Sequence, residues 1–137
     1  MIIIAIIISV IILIGVLYYL FPPIQVIGDS MFPTYKDGEI IFGRRVYSKY
    51  FLKKGDVIVY ISPDEEGRNV IKRIDEIRLD NRGHYIFYCL GDNPECSYDS
   101  RDYGFVPAKN LVCKVINQRS KISIESYDEG GNYNDEQ

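Results

Sequence analysis

A small, mainly β domain carried behind one membrane-spanning helix is the architecture this 137-residue sequence predicts. Three observations predict it. Met1–Phe21 reads MIIIAIIISVIILIGVLYYLF, without one charged side chain. Six short runs rich in β-branched and aromatic residues follow it. Glycine-, asparagine- and aspartate-bearing turns separate those runs. The expected division is a transmembrane anchor over 1–21, an all-β domain over 22–125 and an acidic tail over 126–137.

The anchor comes first. A run of about twenty apolar residues is long enough to cross a bilayer core as a helix. Tyr18 and Tyr19 stand near its end, where aromatic rings favour the interface. Pro22 and Pro23 stop it, because proline lacks the N–H donor and clashes with the preceding turn. A cleaved secretory signal fits less well: no basic segment precedes the run, no A-x-A site follows it, and it exceeds a usual signal core. A buried core helix would be apolar on one face rather than all round. Flanking charge says little about orientation, since the first cation after the helix is Lys36. The orientation adopted therefore rests on function.

The β runs are Glu39–Phe42, Asp56–Ile61, Asn69–Ile77, Tyr85–Leu90, Asn110–Asn117 and Lys121–Glu125. Turn signals fall at Lys36-Asp37-Gly38, Lys54-Gly55-Asp56, Asn81-Arg82-Gly83 and Gly91-Asp92-Asn93-Pro94. Short strands joined by tight turns predict an all-β domain. Tyr47, Tyr50, Phe51 and Leu52, beside Arg44, Arg45, Lys49, Lys53 and Lys54, form an aromatic and basic patch. Such a patch suits either a lipid surface or an ordinary turn. The tail from Ser126 is acidic and poor in apolar residues, a composition expected to be disordered.

Composition narrows the function. A formal net charge of −3 argues against a nucleic-acid partner, which calls for a basic face. The three cysteines, Cys89, Cys96 and Cys113, include no C-x-x-C pair, so neither a zinc ribbon nor a thioredoxin-like motif is expected. Cys96 has Cys89 and Cys113 as possible partners outside the cytoplasm, but no disulfide is expected. No metal cluster or phosphate-cradling glycine loop is seen, and no cofactor is implied.

The chemistry-bearing segments occur in a fixed order. Gly28-Asp29-Ser30-Met31-Phe32-Pro33-Thr34 lies just beyond the anchor. Gly55-Asp56-Val57-Ile58-Val59-Tyr60 and Val70-Ile71-Lys72-Arg73-Ile74 follow. Gly91-Asp92-Asn93-Pro94-Glu95-Cys96-Ser97-Tyr98-Asp99-Ser100-Arg101 and Tyr103-Gly104-Phe105-Val106-Pro107 complete the set. In this order behind a membrane anchor, the chain resembles type I signal peptidases, the Ser/Lys-dyad leader peptidases. The resemblance covers nearly everything but the acidic tail. It implies a membrane-bound serine endopeptidase that removes signal peptides from exported preproteins. By that resemblance the protein is a single-pass protein of the plasma membrane, its catalytic domain on the extracytoplasmic side.

The residues also have a physical reading. A serine hydroxyl is a weak nucleophile until a base takes its proton. The single histidine, His84, sits in a turn with no motif around it, so a Ser–His–Asp triad is poorly supported. A Ser–Lys pair follows the same logic. It needs a neutral lysine, and a free lysine has a pKa near 10.4. If Val70–Ile74 is a strand, Val70, Lys72 and Ile74 share one face, which desolvates the amine and lowers its pKa. The neighbouring Arg73 charge is expected to push the same way. Taken alone, a Lys-Arg pair in a strand reads as a solvated edge; it is the resemblance that makes Ser30 the expected nucleophile and Lys72 its general base.

By resemblance, Ser97 orients the Lys72 amine and an Asp99–Arg101 ion pair braces its loop. Gly91 lets the loop pass close to the site. The Ser30 backbone N–H is a candidate oxyanion donor. Many family members carry a serine donor two positions before the nucleophile; here that position is Gly28. Ile24, Val26, Ile27, Met31 and Ile71 are the expected lining of shallow pockets for small substrate side chains, with the substrate laid as an added strand. Cys96 and Cys113 replace a polar residue and a glycine frequent in the family. The short Arg73–Gly91 interval leaves no room for the large inserted subdomain of some relatives. A lysine base argues for the bacterial or organellar branch rather than that of the endoplasmic reticulum.

Two other readings compete. A catalytically inactive relative serving as a chaperone or assembly factor needs neither Ser30 nor Lys72. A self-cleaving repressor on a related fold calls for a DNA-binding module where this chain has an apolar helix.

Overall fold

The computed structural model describes residues 1–45, 51–65 and 67–122. Helix α1 spans Ile2–Leu20. At 1.5 Å per residue it is about 28 Å long, close to the thickness of a hydrocarbon core. None of its residues is buried, as a helix apolar on all sides requires if lipid is its solvent. Its last turn meets the β domain: the Arg45 backbone N–H donates to the Leu20 carbonyl at 3.2 Å, and Arg45 Nε donates to Tyr19 O at 3.0 Å. The Arg45 guanidinium also lies 4.7 Å from the centre of the Tyr19 ring. A cation on the unpaired carbonyls of a helix C-terminus is favourable. It comes from 26 positions downstream, which flanking-charge counting does not see.

The rest of the described chain is mainly strand. The strands are β1 (Pro23–Gln25), β2 (Ile40–Arg44), β3 (Val57–Ile61), β4 (Asn69–Leu79), β5 (Tyr85–Leu90), β6 (Val106–Pro107) and β7 (Leu111–Val115). They form one seven-stranded sheet in the order β1-β2-β7-β3-β4-β5-β6. Every neighbouring pair is antiparallel. A helical turn, α2 (Ser100–Tyr103), interrupts the return from β5 to β6.

Each strand follows from its sequence. In β3, VIVYI, the alternation sends Val57 and Val59 into one apolar cluster and Ile58 and Tyr60 into another. The first cluster also holds Val26, Met31, Tyr35, Ile41, Ile71, Cys113 and Val115. The second holds Leu52, Ile74, Phe87, Cys89 and Val106. The sheet is therefore covered on both faces, with β3 central and without a polar side.

Four of the expected runs appear nearly as read, and Asn110–Asn117 shortens to β7 after a 3-10 turn at Ala108–Asn110. β1, β6 and α2 were not expected, because two to four residues carry too little periodicity to register. Lys121 and Ile122 are not in a strand, and the rest of that expected run lies outside the described residues. So do the acidic tail and the Tyr47, Lys49 and Tyr50 part of the aromatic patch. Of the remainder, Phe51 is exposed, but Leu52 is buried in the second cluster and is a core residue instead. All three cysteines are free; Cys89 and Cys113 are buried and Cys96 is exposed.

Candidate active site

Ser30 stands at the start of a tight turn beyond β1. Phe32 N–H donates to Asp29 O at 3.1 Å and Tyr35 N–H to Met31 O at 2.9 Å. Met31 and Tyr35 are fully buried and peg the turn to the first cluster. Ser30, on the turn's outer side, is left half-buried.

Lys72 comes from the middle of β4, paired with Ile58 of β3. Only 4% of it is exposed, and its neighbours in alternation, Val70 and Ile74, belong to the second cluster as the period-two reading expects. Lys72 Nζ lies 2.7 Å from Ser30 Oγ, 42 positions away in sequence. Burial pushes the Lys72 amine down to about 8, helped by the Arg68 and Arg101 charges and opposed by Asp99.

Arg73 does not play the part expected of it. Its side chain leaves the opposite face of β4 and grips Asp92 with two bonds, Nε to Oδ1 at 2.9 Å and Nη2 to Oδ2 at 2.7 Å. A third bond runs from Nη1 to the Gly55 carbonyl at 2.8 Å. Neutralised in this way, it bears on the site as a brace. Asp92 is buried, and the next backbone N–H, that of Asn93, donates to the Ser30 carbonyl at 3.0 Å. The pair thus ties β4 to the loop that holds Ser30 from behind. Replacing Asp92 by alanine is expected to destabilise the domain by about 3–5 kcal/mol, because it strands a guanidinium that is mostly buried. Chemical denaturation of the variant checks this.

Asp99 is the other anchor of that loop. It is fully buried and caps α2. Its carboxylate accepts from Gly91 N–H at 2.8 Å, Ser97 Oγ at 2.6 Å, and Arg101 Nε and Nη2 at 2.9 and 2.6 Å. Burial works against the charge, but the Arg101 side chain and these donors outweigh it and hold the carboxyl well below its usual range. The Ser97 hydroxyl, which the resemblance assigns to the lysine amine, is here given to Asp99. Among the described residues, the hydrogen bond of the amine runs to Ser30.

Gly91 is required sterically. A Cβ there would overlap Ser97 Oγ and stand 2.6 Å from the Ser30 carbonyl oxygen. His84 lies in the β4–β5 turn, exposed, with its ring on Asp80, and has no part in this cluster.

A cavity of about 400 Å³ opens beside Ser30 and Lys72. Ile24, Ile27 and Ile71 line it, with Gly28 beside them. Val26 and Met31, expected there too, face the core instead, since alternation and the tight turn direct them inward. Sequence reading missed the other end of the cavity, where Ser62, Glu65, Arg68 and Tyr98 supply polar groups. Arg68 is ion-paired to Glu65 at 2.8 Å, and the Tyr98 hydroxyl donates to Asp64 at 2.6 Å. Ser62, Glu65 and Arg68 carry no hydrophobic period and no motif, and Tyr98, though inside a motif segment, was given no role there.

A hydroxyl touching a desolvated amine, beside an open cavity, has the geometry that a serine nucleophile and its base require. In the ammonium form Nζ donates to Oγ. Once neutral, the same 2.7 Å contact lets the hydroxyl donate to nitrogen, which activates the oxygen.

Comparison with known proteins points to a peptidase family. The family model described as signal peptidase, peptidase S26, matches residues 1–86, a stretch containing Ser30 and Lys72. The mitochondrial inner membrane protease subunit 1 of Schizosaccharomyces pombe is 34% identical, over 72% of this chain and 73% of its own length. The human protein of that name is 28% identical, over 58% of each chain. A signal peptidase I of Buchnera aphidicola is 57% identical across 30 residues, 22% of this chain and 10% of its own.

Proposed function

The chain belongs to the signal peptidase family, peptidase S26, and on that premise we propose that it is a membrane-anchored endopeptidase that removes signal peptides by a Ser30–Lys72 dyad. The observation that carries this reading is the 2.7 Å contact between Ser30 Oγ and the buried Lys72 amine.

The steps follow from that contact. Ser30 Oγ attacks the scissile carbonyl as its proton passes to Lys72 Nζ. Lys72 returns the proton to the departing amine as the acyl-enzyme forms. A water then attacks the ester, again giving its proton to Lys72, and the Ser30 hydroxyl is restored. The Ser30 N–H is a donor for the oxyanion in this scheme. The Gly28 N–H is not available, because it donates to Asp37 Oδ1 at 2.7 Å. No co-reactant beyond water is needed. Asp99 and Arg101 hold the loop, and Ser97 acts through Asp99. Ile24, Ile27 and Ile71 receive the substrate's small side chains.

The anchor is α1, with residues 22–125 forming the peptidase domain and the substrate being the signal peptide of a membrane-translocated preprotein. The plasma membrane is the site expected from the sequence, with the domain on its outer side. The named relatives include proteins of the mitochondrial inner membrane and a bacterial signal peptidase. A membrane-bound protease is common to these.

The test is cleavage of a preprotein carrying an A-x-A site by the detergent-solubilised chain, with Ser30→Ala alongside. Product of the expected size from the parent, reduced about 10³-fold or more in the variant, supports the reading. No product from a folded parent favours the inactive assembly factor.

The pH profile supplies a second check. The base must be neutral, and its pKa is about 8. The cleavage rate kcat/KM is therefore expected to rise about tenfold per unit below that pH and to level off above it. A plateau extending down to pH 6 would rule out Lys72 as the base.

A further inference from the structure

The nucleophile's turn is held from upstream by a residue that no part of the mechanism uses. Residues 26–28 run antiparallel to 37–39. Val26 N–H donates to Glu39 O and Gly38 N–H to Val26 O, both at 2.8 Å. The next rung is not backbone to backbone. Gly28 N–H donates instead to the Asp37 carboxylate, Oδ1, at 2.7 Å.

Gly28 has φ +81°, a conformation costly for any residue with a side chain. From there the chain turns away from the pairing and enters the tight turn two residues before Ser30. A Cβ at Gly28 would meet nothing within 4 Å. The position is therefore demanding in backbone conformation and undemanding in space.

The other constraints on Ser30 are already placed. Asn93 N–H holds its carbonyl, and Lys72 meets its hydroxyl. Both act at or after the nucleophile. Apart from the bond that closes the turn itself, Phe32 N–H to Asp29 O, the last fixed point upstream of Ser30 is the Gly28 N–H on Asp37.

We propose that Asp37 is a positioning residue for the nucleophile: its carboxylate fixes the left-handed Gly28 peptide and so sets the approach of Ser30 to Lys72 and to the scissile bond. The inference rests on the Ser30–Lys72 reading. Asp37 does not bond the amine and is not itself part of the cavity lining, so its effect passes through the Gly28 backbone. It also follows that a serine at position 28 does not restore a side-chain oxyanion donor here, because the left-handed conformation resists it.

The test is steady-state cleavage of the A-x-A preprotein by the full solubilised chain and by Asp37→Ala, Asp37→Asn and Gly28→Ala. Asp37 is exposed, so loss of its side chain leaves the core intact. For Asp37→Ala, kcat is expected to fall about tenfold with KM within about twofold, and with the midpoint of thermal unfolding unchanged. Asp37→Asn, which keeps an acceptor oxygen, recovers most of that loss. Gly28→Ala falls at least as far, although nothing obstructs its methyl. Combining it with Asp37→Ala costs less than the product of the two single losses, since both break one link. Parent kcat in Asp37→Ala, or equal impairment of the asparagine and alanine variants, overturns the proposal. A parent that cleaves nothing overturns the dyad reading itself, which separates the two failures.

Discussion

Replacing Lys72 by methionine is expected to lower kcat/KM by about 10³-fold or more while making the folded protein more stable at pH 7. On the proposed dyad, the first effect is loss of the base, since an unassisted serine is a poor nucleophile. The second comes from the burial that lowers the pKa of the amine. Burial brings the Lys72 pKa from 10.5 to about 8. At 1.36 kcal/mol per unit, the charged form carries a penalty of about 3 kcal/mol in the fold.

The sign can be followed through the titration. Below about pH 8 the folded lysine is protonated and the penalty is present in full. Between about 8 and 10.5 the folded state has released its proton and the unfolded state has not, so stability rises with pH. Above that window the penalty is gone. The stability advantage of the methionine variant, measured by denaturant unfolding, should therefore be largest near pH 7 and shrink towards pH 10.5. An equally inactive variant that is less stable than the parent at pH 7 would mean the amine is better solvated than its 4% exposure implies.

Gly91→Ala should be the most damaging change that touches neither Ser30 nor Lys72. The added methyl cannot fit between the Ser97 side chain and the Ser30 carbonyl, 2.6 Å from where it must sit. Gly91 N–H is itself bonded to Asp99, so the loop cannot withdraw without losing a buried bond. A shift of about 1 Å at the reacting atoms costs about 10²-fold in rate. Overpacking a closed site costs about 1–3 kcal/mol of stability. The two are separable by measuring kcat well below the variant's unfolding temperature. Near-parent kcat there would show that the loop has room the geometry does not indicate.

The two kinds of residue at this site were unequally legible. Ser30 and Lys72 stand in runs whose order identifies them, and the alternation Val70, Lys72, Ile74 already implied a desolvated amine. The Asp99–Arg101 contact, two residues apart, was implied by the family resemblance. Arg73 was misjudged because its partner, Asp92, is 19 positions away across β5. Strand pairing decides that contact, and periodicity carries no record of it. Val26 and Met31 look like Ile24 and Ile27 in any hydrophobicity scale. Which pair lines the cavity depends on which side of the turn meets the sheet.

What the sequence by itself determined was the kind of each part: an all-apolar helix, a mainly β domain, a serine and a lysine set in the right segments. The helix and the strands follow from local composition and period, which act over a few residues; the serine and the lysine were picked out by the family resemblance of the segments that carry them. Only the tertiary structure decided that Ser30 and Lys72 meet at 2.7 Å, that Ser97 turns to Asp99, and that Asp37 reaches back to Gly28. Such meetings depend on register and loop path. Both are set when two covered faces of one sheet exclude water together, a condition met by the whole chain and by no segment of it.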